Sequence, residues 1–233
     1  MSLNDTGPRV VVAILTERNG VPRDEIFNRF IAIARRGHAF VPCIYKRTET
    51  QRNLLASGLL ESDYTHLLML DADHLHPVDV VERLTGHVLA DPGRLVVSGF
   101  SFRRGPPYDP AAWYESPAGV KPIVQWPAGL IRADLVGGFC TLVNREVFER
   151  LEWPWFRIVC SIKDRTFGGE DIYFSRKCKQ AGIDLWVDTD CISPHLTNAW
   201  VTEATYRQYM AEWEKWHGKD QLLPTEAGSL SPA

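Results

Sequence analysis

The chain has 233 residues, 45% of them hydrophobic and 24% charged, with a formal net charge of −3. That length suits one α/β domain with a sizeable core, and the acidic balance excludes a global pull toward nucleic acid or anionic membrane. No signal peptide and no apolar run of the ~18–20 residues needed to span a bilayer is visible, and the five scattered Cys, none in a Cys-x-x-Cys pair, argue against zinc ribbons and redox motifs, so a cytoplasmic protein is expected.

Residues 9–15 are a Val/Ile-rich run and read as a first strand, with a loop over 16–20 at its carboxyl end. A helix is expected from Pro22 or Arg23. Asp24 and Glu25 fall in its first turn, Arg35 and Arg36 in its last, and Gly37 stops it. Ile26, Phe30, Ile33 and Ala34 share one face. Residues 39–45 read as a second strand, and residues 51–61 as a helix that Thr50 caps. Next comes Tyr64-Thr65-His66-Leu67-Leu68-Met69-Leu70-Asp71-Ala72-Asp73, an apolar run that stops at two carboxylates. It reads as a strand buried on both faces. The alternation of strand and helix predicts a mostly parallel central sheet flanked by helices, joined by right-handed crossovers. No Gly-x-Gly-x-x-Gly follows the first strand, which excludes the usual dinucleotide fingerprint.

A further helix is expected from Pro77 to about Ala90, then a turn at 91–93 and a short strand over 94–100. Six prolines between Ser101 and Ala133 exclude a long helix there. Trp113, Tyr114 and Trp126 argue against disorder. This stretch reads either as a loop covering a sheet face or as a substrate-facing lid. Residues 134–143 lead into Asn144, an N-cap for a helix ending at Leu151. Gly137-Gly138 marks a close backbone approach or a turn. A helix starting near Gly168-Gly169-Glu170-Asp171 places Phe174, Cys178 and Ala181 inward and stops at Gly182. Residues 183–187 read as a strand, and Asp188-Thr189-Asp190 as a turn. The last helix, about 202–217, puts Tyr206, Tyr209, Trp213 and Trp216 on one stripe, read as core packing. The tail from Pro224 is expected to fray.

Three groups carry the chemistry: Asp71 with Asp73, Glu170 with Asp171, and His195. Carboxylates at a strand's carboxyl end suit a hard divalent cation, since α/β sheets bind ligands there. The same spacing also fits an ordinary strand-end turn, Glu170 and Asp171 also fit a helix start, and His195 alone fits a structural histidine. His66, His74 and His76 read as surface or packing residues.

Taken together, the order of motifs resembles the metal-dependent GT-A glycosyltransferases, in particular small family 2-like enzymes of bacteria and phages. The resemblance runs over about residues 9–197. It is carried by Arg52-Asn53, Leu-Asp-Ala-Asp-His at 70–74, the Val-Ser-Gly-Phe-Ser-Phe-Arg-Arg-Gly-Pro-Pro-Tyr segment at 97–108, Val-Gly-Gly-Phe at 136–139, Gly-Gly-Glu-Asp-Ile-Tyr-Phe at 168–174 and the late His195.

The resemblance implies one GT-A domain over residues 1–223. A nucleotide-sugar-binding half would span about 9–100 and an acceptor-side half about 101–200, followed by the C-terminal helix and a flexible tail over 224–233. It implies transfer of a sugar from a nucleotide-diphosphate donor, UDP- or GDP-linked, to an acceptor hydroxyl. Thr16, Arg52, Asp71 and Asp73 would bind the donor. Asp73, His195 and Asp71 would hold Mn2+ or Mg2+. Asp171, beside Glu170, would act as base in an inverting reaction. Arg103, Trp113, Gly137 and Gly138 would border the sugar and acceptor, which is a glycan, a small molecule or a modified DNA base. The Gln-x-x-Arg-Trp motif of processive synthases is missing, and retaining chemistry stays open. A nucleotidyltransferase on a similar sheet and a non-catalytic nucleotide- or sugar-binding module are the competing readings.

Overall fold

A computed structural model describes residues 7–16, 24–41, 46–161, 166–197 and 200–217. In chain order it forms β1 (Val10–Leu15), α1 (Asp24–Ala34), β2 (Ala39–Val41), α2 (Thr48–Leu60), β3 (His66–Asp71), α3 (Val80–Ala90) and β4 (Val96–Phe100). The proline-rich stretch supplies β5 (Ala112–Ser116), β6 (Gly119–Pro122) and β7 (Leu130–Ala133). Then come β8 (Leu135–Val136), β9 (Cys140–Asn144), α4 (Arg145–Arg150), β10 (Val159–Ser161), β11 (Thr166–Gly168), α5 (Glu170–Gln180) and β12 (Leu185–Ile192). β13 (His195–Leu196), β14 (Trp200–Val201) and α6 (Glu203–His217) close the order. Expectations for residues 17–23, 42–45 and 224–233, and for the Trp216 side chain, fall outside the described residues.

The central sheet has seven strands in the order β2-β1-β3-β9-β4-β12-β7. β1 pairs in parallel with β2 and β3, and β12 with β4. β9 is antiparallel to both β3 and β4, and β7 is antiparallel to β12. The small sheets β6-β5-β8, β10-β11 and β13-β14 are antiparallel throughout. The sheet is therefore mixed, which corrects the expectation of a mostly parallel one. Its cause is β9. This run is buried on both faces like a parallel strand, and its burial pattern carries no sign of its direction.

Alternation along the strands sorts side chains onto two faces. Leu67 and Met69 of β3 point into one core with Leu55, Ala56 and Leu59 of α2, Phe148 of α4 and Phe174 of α5. Leu68 and Leu70 point into the other, with Ile26, Phe30 and Ile33 of α1 and Val81, Leu84 and Val88 of α3. All four β3 side chains are at most 1% exposed, and each such burial contributes roughly 1.5–3 kcal/mol before conformational entropy is subtracted.

Two sequence expectations change form. The stretch 101–133 carries the short strands β5, β6 and β7 between loops, and Trp126 packs edge-on against Phe100, with centroids 4.8 Å apart, and near Tyr206 of α6. Asp188-Thr189-Asp190 is not a turn but lies within β12, where the pairing with β4 shifts register. Asp188 is buried, and its Oδ1 accepts the Asp190 N–H at 3.0 Å. That local bond takes up the irregularity as a bulge does. Asn144 caps α4 as expected, accepting from the Glu146 N–H at 2.9 Å.

Candidate active site

β1, β3, β4 and β12 run in one direction, and residues at or just beyond the carboxyl ends of β3 and β4 line a cleft of about 510 Å³. That size lies in the usual range for small-molecule sites. Of the residues singled out from the sequence, Arg52, Asp71, Asp73, Arg103, Trp113, Gly137, Gly138, Glu170, Asp171 and His195 all line it. Thr16 stands apart at the end of β1, where its carbonyl accepts from Gln51 Nε2 at 3.0 Å.

Arg52 sits on the buried face of α2 and is 1% exposed. Its Nη2 donates to Asp71 Oδ1 at 2.9 Å and to Oδ2 at 3.2 Å. Its Nε donates to Glu170 Oε1 at 3.2 Å and its Nη1 to the Gly138 carbonyl at 2.6 Å. Burial alone would lower the Arg52 pKa, but Asp71, Glu170 and Asp171 raise it, so the guanidinium stays charged. Gly138 is required here. A Cβ at that position would lie 2.7 Å from the Arg52 guanidinium carbon. Burial pushes the Asp71 pKa up to about 7 despite Arg52.

Asp73 meets different partners. Asp73 Oδ1 lies 2.7 Å from His74 Nδ1, and Oδ2 lies 3.3 Å from His195 Nε2. Arg104 Nη2 also donates to Oδ2. Burial opposes ionisation of Asp73, but His195 and His74 outweigh it and hold the carboxyl far below the usual range. His74 is buried, and that burial lowers its pKa to about 3, so the ring is neutral. The His74 and His195 rings stack with centroids 4.0 Å apart.

The two arms of this cluster are far apart in sequence and are zipped together by backbone. His74 and His195 form an isolated antiparallel bridge. Leu75 N–H donates to the Pro194 carbonyl at 2.9 Å, and Leu196 N–H to the Asp73 carbonyl at 2.8 Å. The buried His76 reinforces the join: its Nε2 donates to the Asp71 carbonyl at 3.0 Å, which leaves Nδ1 to accept from Ser193 Oγ at 3.0 Å.

Asp73, His74 and His195 offer ligand atoms all within 4.8 Å of one another. The donor set fits a divalent cation: one ionised carboxylate, one imidazole kept neutral by burial, and one oriented imidazole. His195 Nδ1 donates to the Phe102 carbonyl at 3.1 Å, the outer-shell contact that fixes a ligating ring. His74 was passed over in the sequence. Its only local signal is its place directly after the strand-end Asp-Ala-Asp.

Across the cleft, Asp171 opens α5 just after Glu170. Its Oδ1 accepts the Ile172 N–H at 2.8 Å and its Oδ2 the Gly138 N–H at 3.3 Å. Burial and the neighbouring Glu170 nevertheless raise its pKa, so the helix N-terminus does not prevail there. A carboxylate whose pKa is raised is a stronger proton acceptor in its ionised form.

With this geometry established, known structures can be compared. The chain is similar to A197 from STIV over 80% of its own length and 85% of that chain, at 18% identity and a TM-score of 0.57. It is similar to GalNAc-T7, crystallised with UDP, GalNAc and Mn2+, over 89% of its length and 48% of that chain, at 14% identity and a TM-score of 0.53. The fold is GT-A-like. CMP:2-keto-3-deoxy-manno-octonic acid synthetase, complexed with CTP, aligns over 89% of this chain at 12% identity and a TM-score of 0.45. No protein-family model and no curated protein matches the sequence. Among the described residues, no helix is long and apolar enough to cross a membrane.

Proposed function

We propose that this chain is a divalent-cation-dependent transferase acting on a nucleotide-linked substrate, and that it moves a sugar from a nucleoside diphosphate to an acceptor hydroxyl. One observation carries the reading: a cation-ligand cluster (Asp73, His74, His195) and a carboxylate with a raised pKa (Asp171) line the same cleft at the strands' carboxyl ends. A cation held there supplies positive charge to the diphosphate leaving group. Asp171 takes the proton of the acceptor hydroxyl, and Arg52 keeps Asp71 and Glu170 in place. Residues up to about 100 form the donor half, and the stretch from 101 presents Arg103 and Trp113 to the sugar and acceptor. The GalNAc-T7 structure, which holds UDP, GalNAc and Mn2+ on a similar fold, supports the donor class. Two imidazoles beside one carboxylate suit a first-row transition ion better than Mg2+, and the Mn2+ held by the GalNAc-T7 structure makes Mn2+ the proposed ion.

Nucleotidyl transfer is the second reading. A cation at Asp73, with the Arg104 guanidinium at hand beside it, suits the α-phosphate of a nucleoside triphosphate equally well. Thermal unfolding with UDP, GDP, CDP or CTP, each with Mn2+ or with EDTA, is the first test. A nucleotide at about 100 times its Kd adds roughly 2.7 kcal/mol, a shift on the order of 5–10 °C at this size. A shift that EDTA and Asp73→Ala both abolish supports the cation site. Turnover then separates the readings: a nucleoside diphosphate product marks glycosyl transfer, and pyrophosphate marks nucleotidyl transfer. Binding without turnover would leave a non-catalytic module.

A further inference from the structure

The loop over residues 103–108 is pinched at its base. Phe102 and Pro110 form an isolated antiparallel bridge. Arg103 N–H donates to the Asp109 carbonyl, and Tyr108 N–H to the Gly105 carbonyl, each at 2.9 Å. The loop presents Arg104, whose side chain is 56% exposed. Arg104 Nη2 donates to Asp73 Oδ2, and Arg104 Nε donates to His195 Nε2 at 3.2 Å. His195 Nδ1 lies 3.1 Å from the Phe102 carbonyl, and its Nε2 faces both Arg104 Nε and Asp73 Oδ2. Arg104 thus contacts the Asp73 carboxylate and His195 Nε2, two of the groups that would hold a cation at the cluster.

We propose that Arg104 is a displaceable phosphate-binding residue: the divalent cation and the Arg104 guanidinium exclude one another at Asp73 and His195, and the cation's arrival hands Arg104 to the anionic phosphates of the nucleotide. This deepens the reading of the cleft as a cation-dependent nucleotide site and rests on it. Charge supports it. The cleft is lined by three arginines, Arg52, Arg103 and Arg104, against four carboxylates, Asp71, Asp73, Glu170 and Asp171. With all four carboxylates ionised its formal balance is negative by one. A divalent cation reverses the sign. Arg52 stays buried against Asp71 and Glu170, and Arg103 lies 3.9 Å from Asp109, so neither has to change partner when the cation binds. Arg104 does. Its planar fork matches a phosphate as well as a carboxylate, and an exposed side chain changes partner by rotation alone.

Isothermal titration calorimetry on metal-stripped protein tests the exchange, with Mn2+ and then UDP or GDP as titrants. Wild type is compared with Arg104→Ala and Arg104→Lys. Arg104→Ala is expected to bind Mn2+ about tenfold more tightly, because no guanidinium competes, and to bind the nucleotide with Mn2+ about tenfold more weakly. Arg104→Lys is expected to recover part of the nucleotide affinity. Equal Mn2+ affinity in wild type and Arg104→Ala overturns the exchange and leaves the cation site standing. Absence of Mn2+ binding in all three proteins removes the cation site and the exchange together. Nucleotide binding that ignores EDTA but is lost in Arg104→Ala also overturns the exchange, giving Arg104 the cation's role outright. Unchanged thermal unfolding of the metal-free variants shows that the fold is intact.

Discussion

Asp71 and Asp73 stand two residues apart at the end of one strand, yet they live in opposite environments. Asp71 faces a buried arginine that it shares with Glu170 and the Gly138 carbonyl, and burial lifts its pKa to about 7. Asp73 faces an exposed arginine and two imidazoles, and the imidazoles outweigh burial and hold its pKa far below the usual range. The first carboxylate is tied into the fold by a partner that cannot leave. The second is held by groups that can exchange. The contrast teaches that an acidic pair which looks symmetrical in sequence divides into a member locked to a buried arginine and a member in a candidate cation cluster.

The largest test of this division is Arg52→Met. It leaves Asp71 and Glu170 without their buried cation, and loss of one partner from such a cluster costs about 3–5 kcal/mol. Urea unfolding of metal-free protein reads it, and a loss below about 1 kcal/mol would break the comparison.

Acid conditions would blur the comparison unless the other end of β3 is controlled. His66 is buried, and burial lowers its pKa to about 4. Its folded pKa lies below the unfolded value of about 6.5, so the folded state binds fewer protons. Its contribution is intact above about pH 6.5 and is lost as pH falls toward 4, on the order of 3 kcal/mol in all. Asn144 Nδ2 lies 3.1 Å from His66 Nε2 and donates to it, a bond that protonation removes. His66→Gln is expected to flatten the unfolding free energy between pH 6.5 and 4. An unchanged slope would move that acid sensitivity back to the cleft.

Gly138→Ala sharpens the Asp71 side. The added Cβ forces the Arg52 guanidinium aside, at a cost of roughly 1–3 kcal/mol. Because this variant keeps every charge, a loss of that size isolates the position of Arg52 from its presence.

The smallest effect on stability is expected from Asp73→Ala. Its side chain is 38% exposed and its Arg104 pair lies at the surface, so unfolding should change by no more than about 1 kcal/mol. Mn2+ binding by calorimetry should disappear in the same variant. A large loss of stability with metal binding retained would invert the roles of the two carboxylates.

Much of this was legible along the chain. Periodicity placed β1, β3, β4 and the inward faces of α1, α3 and α5, apart from Ala34, which is exposed, because burial repeats every two or 3.6 residues and leaves a local trace. The Asn144 cap and the strand-ending Asp71 and Asp73 were equally local. Two helix starts shifted: α2 begins at Thr48 rather than after Thr50, and α3 at Val80 rather than at Pro77.

What the sequence by itself determined, then, is which segments bury which faces and where acidic residues end strands. Only the tertiary structure decided the direction of β9 and β7, the commitment of Arg52 to Asp71 and Glu170, and the addition of His74 and Arg104 to the Asp73 and His195 pair that the family resemblance implied. The physical reason is separation along the chain. Arg52 and Glu170 are 118 positions apart, and Asp73 and His195 are 122. A strand buried on both faces reads the same whether its neighbours run with it or against it. No local pattern encodes which distant charge an ion pair will find.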